Sequence, residues 1–469
     1  MIEEDIQQEI NKAINMIGQN KLSEAEIVCH EILSQEKNAD AYHILSSIKI
    51  YKREFKDSIE LVKKSISIDN TNAGYHTTLG CAYSASENYK DAISAFNDAI
   101  ELNEKIAPVH FYQGEAFRKL KKYDDAIACF YKAINISQDY VAAYMLLGIV
   151  YQEKKQFDLA VETLKKCVDI MPEYPDARIN LAMCYLLSGN YTEGWKEYEW
   201  RKKIYSQNYS GSKKEWSGQN LDDKKLLIID EGSYSDLLQF IRLARELKKD
   251  GCKVIIQSDS FMRELLKKQT WIDSVVNLDD LPEHDYYLHV GSLPYSLDYN
   301  PNNTDSDFPY IQVNGDVNKK PITNKTNIGL IYKTDEKLKS YQEDSIPKEF
   351  FKDLFSNKHN VICLDTNIHE ESLPSFFNSK IEYTNADELA VAIESLDVVI
   401  TVNHYIAHLA GALNKKTYLL LPFVPNWRWE ISHISTTPWY KSVRIFRQDI
   451  PDEWESVISK VKDELSNYE

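Results

Sequence analysis

The chain has 469 residues, of which 43% are hydrophobic and 27% are charged, and its formal net charge at pH 7 is −17. This length predicts two or three globular domains. The acidic balance excludes general binding to nucleic acid or to anionic membranes, because both need a basic surface.

Cysteine usage and the first residues indicate a compartment. The seven cysteines are scattered and form no C-x-x-C pair, so we expect reduced core thiols and no bound metal. The first ten residues are acidic and polar, unlike those of a signal peptide. No apolar run approaches the roughly 20 residues that a membrane span needs. We therefore expect a cytoplasmic protein without a membrane span.

The N-terminal part of the chain is repetitive. Residues 5 to about 208 repeat with a period of 34, the spacing of tetratricopeptide helix pairs. Small residues recur at one position and aromatic residues recur nine positions later. The small residues are Ser46, Gly80, Gly114, Gly148 and Ala182, and the aromatic residues are Phe55, Tyr89, Tyr123, Phe157 and Tyr191. Each pair needs neighbours to bury its apolar face, so the pattern predicts a superhelix of about six repeats.

Such a superhelix usually holds a protein or peptide in its concave groove. Candidates to line this groove are the first-helix residues Tyr42, His76, His110 and Tyr144. The alternative is that the array only caps and supports the region that follows it.

After a polar linker, residues 225–290 predict a first α/β half. Apolar runs at 225–230, 254–256, 274–278 and 286–290 indicate strands, and amphipathic segments at 236–249 and 260–268 indicate helices. Residues 295–325 are rich in Asn, Pro and Asp and predict a linker between two halves. Asp305 and Asp307 in this linker resemble a metal-binding D-x-D motif. They do not follow a strand, so we expect no metal there.

The second α/β half contains the most informative stretch. Strands are predicted at 327–332, 361–364 and 380–383, a helix at 347–355, and a last helix at 452–468. Residues 398–402 and 417–421 predict two buried strands that flank a short helix over 405–413, which is a parallel βαβ unit. The start of that helix lies past the carboxyl end of a strand, where an anion such as a diphosphate is stabilised. An ordinary crossover helix with nothing bound is the alternative.

Several stretches carry distinctive residue patterns. Residues 189–201 read GNYTEGWKEYEWR and residues 231–242 read EGSYSDLLQFIR. Residues 402–414 read VNHYIAHLAGALN, residues 426–429 read NWRW, and TPWY at 437–440 precedes RIFRQ at 444–448. Together these stretches resemble a bacterial family in which tetratricopeptide repeats are fused to a GT-B glycosyltransferase domain akin to the family 9 heptosyltransferases.

The chain departs from the family pattern at a few positions. The family has glycine at Ser233 and Ser235, aspartate at Asn403, threonine at His404 and arginine at Asp344. A glycine permits a close backbone approach or a positive φ, which serine tolerates poorly. A carboxylate in place of an arginine repels a phosphate unless a lysine such as Lys333 replaces the lost charge.

The resemblance implies a fold of class α + α/β. A tetratricopeptide-repeat α-superhelix would occupy residues 1–208. A GT-B pair of Rossmann-like domains would follow, with an N-terminal half over 209–320 and a nucleotide-sugar-binding half over 321–469. The implied function is metal-independent transfer of a sugar from a nucleotide-sugar donor, with no other cofactor, to an acceptor hydroxyl. The acceptor would be a protein or peptide that the repeat array presents.

The resemblance also implies roles for single residues. Asp236 would be the general base, with Ser233, Ser235 and Gln239 on the acceptor side. The nucleotide-sugar would contact Lys333, Asn403, His404, Tyr405, Ala407, His408 and Trp427. Structural alternatives stay open for three of these residues: Asp236 as a helix N-cap, His408 as a core histidine, and Trp427 as a core aromatic residue.

The departures suggest a second function. Each of them lies where a ligand should bind, whereas the tryptophan, proline and arginine positions of the motifs persist. A catalytically degenerate GT-B fold that serves as a tetratricopeptide protein-binding scaffold would show this pattern. A lipopolysaccharide heptosyltransferase would fit the α/β region but would leave the repeat array unexplained.

Overall fold

The structure of the protein is a computed structural model, which describes residues 2–205, 209, 211–249, 251–303, 308–313, 325–334, 344–431 and 435–466. The chain divides into two compact units, Met1–Ala177 and Arg178–Glu469. The predicted domain boundaries at residues 208 and 320 fall at or within segments outside the described ranges, and they remain predictions. The D-x-D stretch of the linker also lies outside the described residues.

The first unit consists of helix pairs, as the period of 34 predicts. Its helices are α1 (Ile2–Gly18), α2 (Leu22–Gln35), α3 (Ala39–Tyr51), α4 (Phe55–Ile68), α5 (Ala73–Ala85), α6 (Tyr89–Leu102), α7 (Ala107–Lys119), α8 (Tyr123–Ile136), α9 (Val141–Glu153) and α10 (Phe157–Ile170). The next pair, α11 (Pro175–Leu187) and α12 (Tyr191–Tyr198), continues the series into the second unit. These helices form the predicted superhelix.

Packing within the pairs explains the small residues of the repeat. A Cβ atom on Gly80 would stand 2.4 Å from the Phe96 ring, and one on Gly114 would stand 2.8 Å from the Phe130 ring. Phe96 and Phe130 are fully buried. The glycines therefore mark the points where the first helix of a pair lies directly on a core side chain of the second helix.

The first sheet of the second unit is parallel and has the strand order β1-β5-β2-β3-β4. Its strands are β1 (Lys214–Glu215), β2 (Lys225–Ile229), β3 (Lys253–Gln257), β4 (Ser274–Val276) and β5 (Tyr286–His289). The helices in and before this region are α13 (Lys202–Tyr205), α14 (Tyr234–Phe240), α15 (Ala244–Lys249), α16 (Ser260–Lys267) and α17 (Leu293–Ser296). Strand β1 lies in a segment that the sequence predicts as linker.

The second sheet is also parallel and has the order β11-β10-β9-β6-β7-β8. Its strands are β6 (Thr326–Ile331), β7 (His359–Cys363), β8 (Ser379–Lys380), β9 (Val398–Thr401), β10 (Thr417–Leu421) and β11 (Val443–Arg447). Helices α18 (Ala386–Ser395), α19 (Tyr405–Ala412) and α20 (Glu455–Ser466) belong to this region. Strands β9 and β10 pair in parallel around α19, which confirms the predicted βαβ unit.

Two predicted helices differ from the observed ones. The helix predicted over 236–249 is interrupted by a 3-10 turn at Ile241–Leu243, where the Arg242 side chain donates a hydrogen bond to the Trp439 carbonyl at 2.7 Å. The segment predicted as a helix over 347–355 forms only a 3-10 turn at Lys348–Phe351. Its phenylalanines pack into the apolar core under the second sheet, so that tertiary packing decides its conformation.

The described ranges lack two features. They contain no helix that is long and apolar enough to cross a membrane. They also contain no group of three or more His, Cys, Asp or Glu side chains that could hold a metal ion.

We predict that Gly80→Val lowers the free energy of unfolding of the first unit by about 1–3 kcal/mol, because the added methyl groups overlap the Phe96 ring. All eight tryptophans follow residue 177, so far-UV circular dichroism should report the change while tryptophan fluorescence does not. Gly18→Ala is the matched control, since a Cβ there meets nothing within 4 Å. Equal stability of Gly80→Val and the unchanged protein would contradict this account of the packing.

Candidate functional site

The start of α19 is the predicted diphosphate site. Side chains of this helix start already bind one of the backbone N–H groups that an anion would use. His404 is the N-cap, and its Nδ1 accepts a hydrogen bond from the Ile406 N–H at 3.3 Å. This bond satisfies one of the N–H groups that a helix start would otherwise offer to an anion. Ala407 is fully buried and Tyr405 is half-buried.

A carboxylate lies beside the same helix start. Asp344, which is 6% exposed, accepts a hydrogen bond from the Asn403 side-chain amide at 2.8 Å. The Asn403 oxygen in turn accepts from the Trp429 indole N–H at 2.8 Å. Residues 344 and 403, at both of which the sequence departs from the pattern that it resembles, are therefore in direct contact with each other.

Aromatic side chains from the first-sheet region cover Tyr405. The rings of Tyr234 and Phe261 lie 5.5 and 6.0 Å from the Tyr405 ring. On the second-sheet side, the hydroxyls of Tyr405 and Tyr383 are 3.2 Å apart. Burial raises the pKa of Tyr405 above its ordinary value. This residue thus contributes to the packing between the two α/β regions as well as to the start of α19.

The predicted base, Asp236, lies in the first turn of α14. Ser233 caps that helix by accepting a hydrogen bond from the Asp236 N–H at 3.2 Å. Asp236 is 9% exposed. Arg428 donates to its Oδ1 from Nη2 in a close contact and from Nε at 3.2 Å. The arginine also stacks on the Trp427 ring, with 4.4 Å between the guanidinium carbon and the ring centroid.

This ion pair changes what Asp236 can do. Both Arg428 contacts are made to one carboxylate oxygen, Oδ1. A general base needs a free lone pair within reach of the acceptor hydroxyl. In this conformation Arg428 occupies Oδ1, so a base role for Asp236 would fall to Oδ2.

The other predicted site residues lie in different environments. Trp427 is 4% exposed and packs edge-on against Trp195, with 5.7 Å between the ring centroids. Ser235 is half-buried and Lys333 is exposed. Gln239 is fully buried, and neither atom of its amide has a hydrogen-bond partner among the described residues.

His408 lies in the core. Its ring stacks on Trp429 at 4.8 Å, and its Nδ1 is 2.9 Å from the Tyr440 hydroxyl. Burial, together with the nearby charges of Arg428 and Arg242, lowers the pKa of His408 well below its ordinary value. The histidine is therefore neutral and fills space between α19 and the segment that contains Trp429 and Tyr440.

Arg242 is a structural residue that sequence reasoning missed. Its guanidinium donates to the Trp439 carbonyl at 2.7 Å and to the Tyr299 hydroxyl at 2.6 Å. Five aromatic rings surround it with centroids 5.3–5.9 Å away, namely those of Tyr299, Phe308, Tyr310, Trp439 and Tyr440. Cation–π contacts of this kind stabilise a buried guanidinium. The high density of aromatic residues and arginines in the motifs is the sequence feature from which these contacts could have been predicted.

The last repeat helix pair is joined to the α/β regions. The Trp195 indole donates to the Tyr299 carbonyl at 2.8 Å. Arg201 forms a two-point ion pair with Glu231, with nitrogen–oxygen distances of 3.1 and 2.9 Å. The stretches GNYTEGWKEYEWR and EGSYSDLLQFIR are therefore in direct contact.

A second missed residue is Asp230, at the carboxyl end of β2. It is 1% exposed, and it accepts hydrogen bonds from the Gly232 N–H at 2.9 Å and from the Ser258 hydroxyl at 3.0 Å. Burial raises the pKa of Asp230 to about 6. Gly232 has φ = +83°, so one glycine of this loop adopts a conformation that other residues rarely adopt.

The groove candidates of the repeat array do not share one environment. His110 is buried and bonds to the Glu104 carbonyl at 2.8 Å. His76 is 3.3 Å from the Asn70 carbonyl, and the ammonium of Lys64 lies 5.6 Å from the ring of Tyr42. Tyr144 lines a cavity of about 430 Å³. Of the four candidates, His110 is unavailable to a partner in this conformation.

Comparisons with known proteins identify the repeats. Residues 73–106 and 153–194 match models described as tetratricopeptide repeat, and residues 114–155 match a model described as TPR repeat. The N-terminal region therefore contains tetratricopeptide repeats. No curated protein matches the sequence.

Solved structures similar to this chain include three helical-repeat proteins. MamA is 25% identical and covers 34% of this chain and 92% of its own, with a TM-score of 0.32. YrrB, described as a TPR protein with an unusual peptide-binding site, is 24% identical and covers 36% of this chain and 88% of its own, with a TM-score of 0.31. A thermophilic TPR protein of Thermus thermophilus is 20% identical and covers 39% of this chain and 100% of its own, with a TM-score of 0.35.

We predict that Asp236→Asn lowers the free energy of unfolding of the second unit by about 3 kcal/mol or more, because it removes the carboxylate charge that contacts the buried Arg428 guanidinium. Adding Arg428→Met should recover part of this loss. Asp449→Asn, in the exposed pair with Lys460, should cost about 0–1 kcal/mol. Urea unfolding followed by tryptophan fluorescence measures all three. A cost for Asp236→Asn no larger than that of the exposed control would contradict the role assigned to the ion pair.

We also predict a pH-dependent contribution from Asp230. Its pKa in the folded chain, about 6, exceeds its ordinary value of 3.8, so the folded state binds its proton more tightly and stability falls as pH rises from about 4 to 6.5. Relative to Asp230→Asn, the unchanged protein should lose about 2–3 kcal/mol across this window. Urea unfolding of both proteins at several pH values tests the difference. A difference that is constant with pH would refute the assignment.

Proposed function

We propose that this chain is a protein-binding scaffold in which the repeat array holds a protein or peptide partner. The observation that carries the proposal is the array itself, since residues 73–106 and 114–194 match tetratricopeptide models and α1–α10 form a compact unit of helix pairs. Stacked helical repeats present an extended concave surface that suits a polypeptide.

In this proposal the α/β region has the plan of a GT-B glycosyltransferase and no longer transfers a sugar. The Arg428 guanidinium pairs with Oδ1 of the Asp236 carboxylate, and a buried Asp344 lies one hydrogen bond from the residue that precedes the α19 N-cap. Two like charges 4 Å apart repel each other by about 4 kcal/mol at the effective dielectric constant typical of a protein surface. A diphosphate at the start of α19 would face this repulsion from Asp344.

The partner class and the compartment are part of the same proposal. The acidic charge of −17 opposes binding to nucleic acid, so the proposed partner is a protein. The seven cysteines are all free thiols, which suits a reducing compartment and supports a cytoplasmic location.

A second candidate function is the nucleotide-sugar transferase. One observation favours it: helix α14, which carries Asp236, packs directly against α19. Two residue groups far apart in sequence are therefore neighbours in the α/β region. For transfer, Oδ2 of Asp236 would have to accept the proton beside Arg428, and a cation such as the exposed Lys333 would have to offset Asp344.

A thermal-shift panel of UDP, GDP, ADP, CMP and their common sugars separates the two functions. A ligand present at a hundredfold excess over its Kd stabilises a protein by about 2.7 kcal/mol, which gives a clear rise in melting temperature. We predict no rise for the second unit, read by tryptophan fluorescence. A rise with one nucleotide class that is lost in His404→Glu, and retained in the control His369→Glu on an exposed loop, would overturn the scaffold proposal.

The array proposal has its own experiment. We predict that a protein captured by the full chain, then purified and recombined with it, binds the unchanged chain and Asp236→Asn with equal Kd. Its intact mass should stay the same after incubation with nucleotide-sugars. A gain of one sugar mass that requires Asp236 would establish the transferase, and failure of every purified candidate to bind would remove the scaffold.

A further inference from the structure

An aromatic strip runs along the first helices of the repeat array. We define this tyrosine strip as Tyr51 at the end of α3, Cys81 on α5, Tyr112 and Glu115 on α7, and Tyr140 just before α9. Tyr51 is 69% exposed and Tyr112 is 37% exposed, and both are among the exposed large apolar side chains of the described residues. Since first helices line the inner face of such superhelices, the strip lies where a partner would bind.

The members of the strip are close enough to influence one another. The Phe111 ring lies 5.4 Å from Tyr112 and 5.3 Å from Tyr140, and so connects them. Burial, with additional contributions from Cys81, Glu115 and Tyr51, raises the pKa of Tyr112. The Tyr112 and Tyr140 rings therefore belong to one aromatic cluster around Phe111.

The unpaired charge on this surface is negative. Among the described residues, the Glu115 carboxylate has neither an ion-pair nor a hydrogen-bond partner. The nearby Arg118 guanidinium forms an ion pair with Glu153, with a nitrogen–oxygen distance of 2.6 Å. The exposed Lys119 forms no ion pair with Glu115. The pKa of Cys81 is raised to about 12 by burial and then by Glu115, so the thiol stays neutral at physiological pH.

We propose that the tyrosine strip binds an extended peptide segment that presents a lysine or arginine side chain. The cation would lie against the faces of Tyr112 and Tyr140 and meet the Glu115 carboxylate, while the side-chain stem would cover apolar ring surface. This inference rests on the proposed function, since it names the chemistry of the partner that the array holds.

The physical case is one of complementary charge and shape. A ring face attracts a cation, and an unpaired carboxylate adds a charge-assisted hydrogen bond. An acidic peptide would be repelled by Glu115, and a neutral peptide would leave the carboxylate unpaired. Arginine should bind at least as well as lysine, because its planar guanidinium can stack on tyrosine while it contacts a carboxylate. Binding should weaken with salt, since the strip is open to solvent.

The first experiment selects binders of the full chain from a library of random twelve-residue peptides. The inference predicts enrichment of lysine and arginine in the selected peptides. Enrichment of acidic residues, or of no charged residue, would overturn it and would leave the array's peptide-binding function standing. A selection that yields no binder would overturn the inference and would count against the proposed function as well.

The second experiment measures the Kd of the strongest selected peptide by fluorescence anisotropy. Glu115→Gln should weaken binding about tenfold or more, and Tyr112→Ala should weaken it about threefold or more. The matched controls are Glu60→Gln on α4 and Tyr131→Ala on α8, which alter exposed residues of second helices. Circular dichroism establishes that each variant is folded. If both controls weaken binding as much as the strip variants, or if Glu115→Gln has no effect, the inference is wrong.

Discussion

The buried ion pair between Asp236 and Arg428 joins helix α14 to the segment that contains Trp427 and Trp429. Removing two charges from water is costly, and their mutual attraction compensates only while both partners remain in contact. Asp236 is held by the cap of α14, and Arg428 is held by its stacking on Trp427. Moving the arginine would leave a carboxylate buried and unpaired. Separating the pair is therefore costly, and Oδ1 of Asp236 stays in contact with Arg428.

Internal contacts also hold the start of α19. Asn403 bridges Asp344 and the Trp429 indole, so it links three segments of the second α/β region. His404 supplies its own side chain to the helix N–H groups. Two further contacts lie near these positions. The Trp195 indole of the last repeat pair donates to the Tyr299 carbonyl, and the Arg242 guanidinium donates to the Trp439 carbonyl. Residues of the distinctive stretches thus pack against one another in the core.

Much of the architecture could be predicted from the sequence because local patterns determine it. The repeated glycines require a close helix approach wherever they occur, and the short apolar runs 398–402 and 417–421 on either side of a crossover helix indicate buried strands. Strand β11 was missed because its residues were assigned to a motif, although Val443, Ile445 and Phe446 are buried and its arginines are not. The break at Ile241–Leu243 was missed because its cause is a contact with Trp439, nearly two hundred positions away.

The candidate site was less predictable for a related reason. Asp236 and Arg428, and likewise Asp344 and Asn403, are paired only in the folded chain, so each residue looked like a free functional group when it was considered alone. In the sequence alone, the departures from the resembled pattern at residues 344 and 403 looked like two separate losses of a ligand-binding side chain. The structure shows a single contact with altered polarity, which is a packing solution as well as a change of ligand chemistry.

Amide hydrogen exchange on the full chain tests the central claim most directly, because it reports the repeat array and the α/β region in one experiment. The account predicts that a bound partner peptide protects amides in α5 and α7, and that millimolar nucleotide diphosphates leave residues 403–412 unchanged. Protection of residues 403–412 by a nucleotide, with no protection of α5 and α7 by any bound protein or peptide, would contradict it.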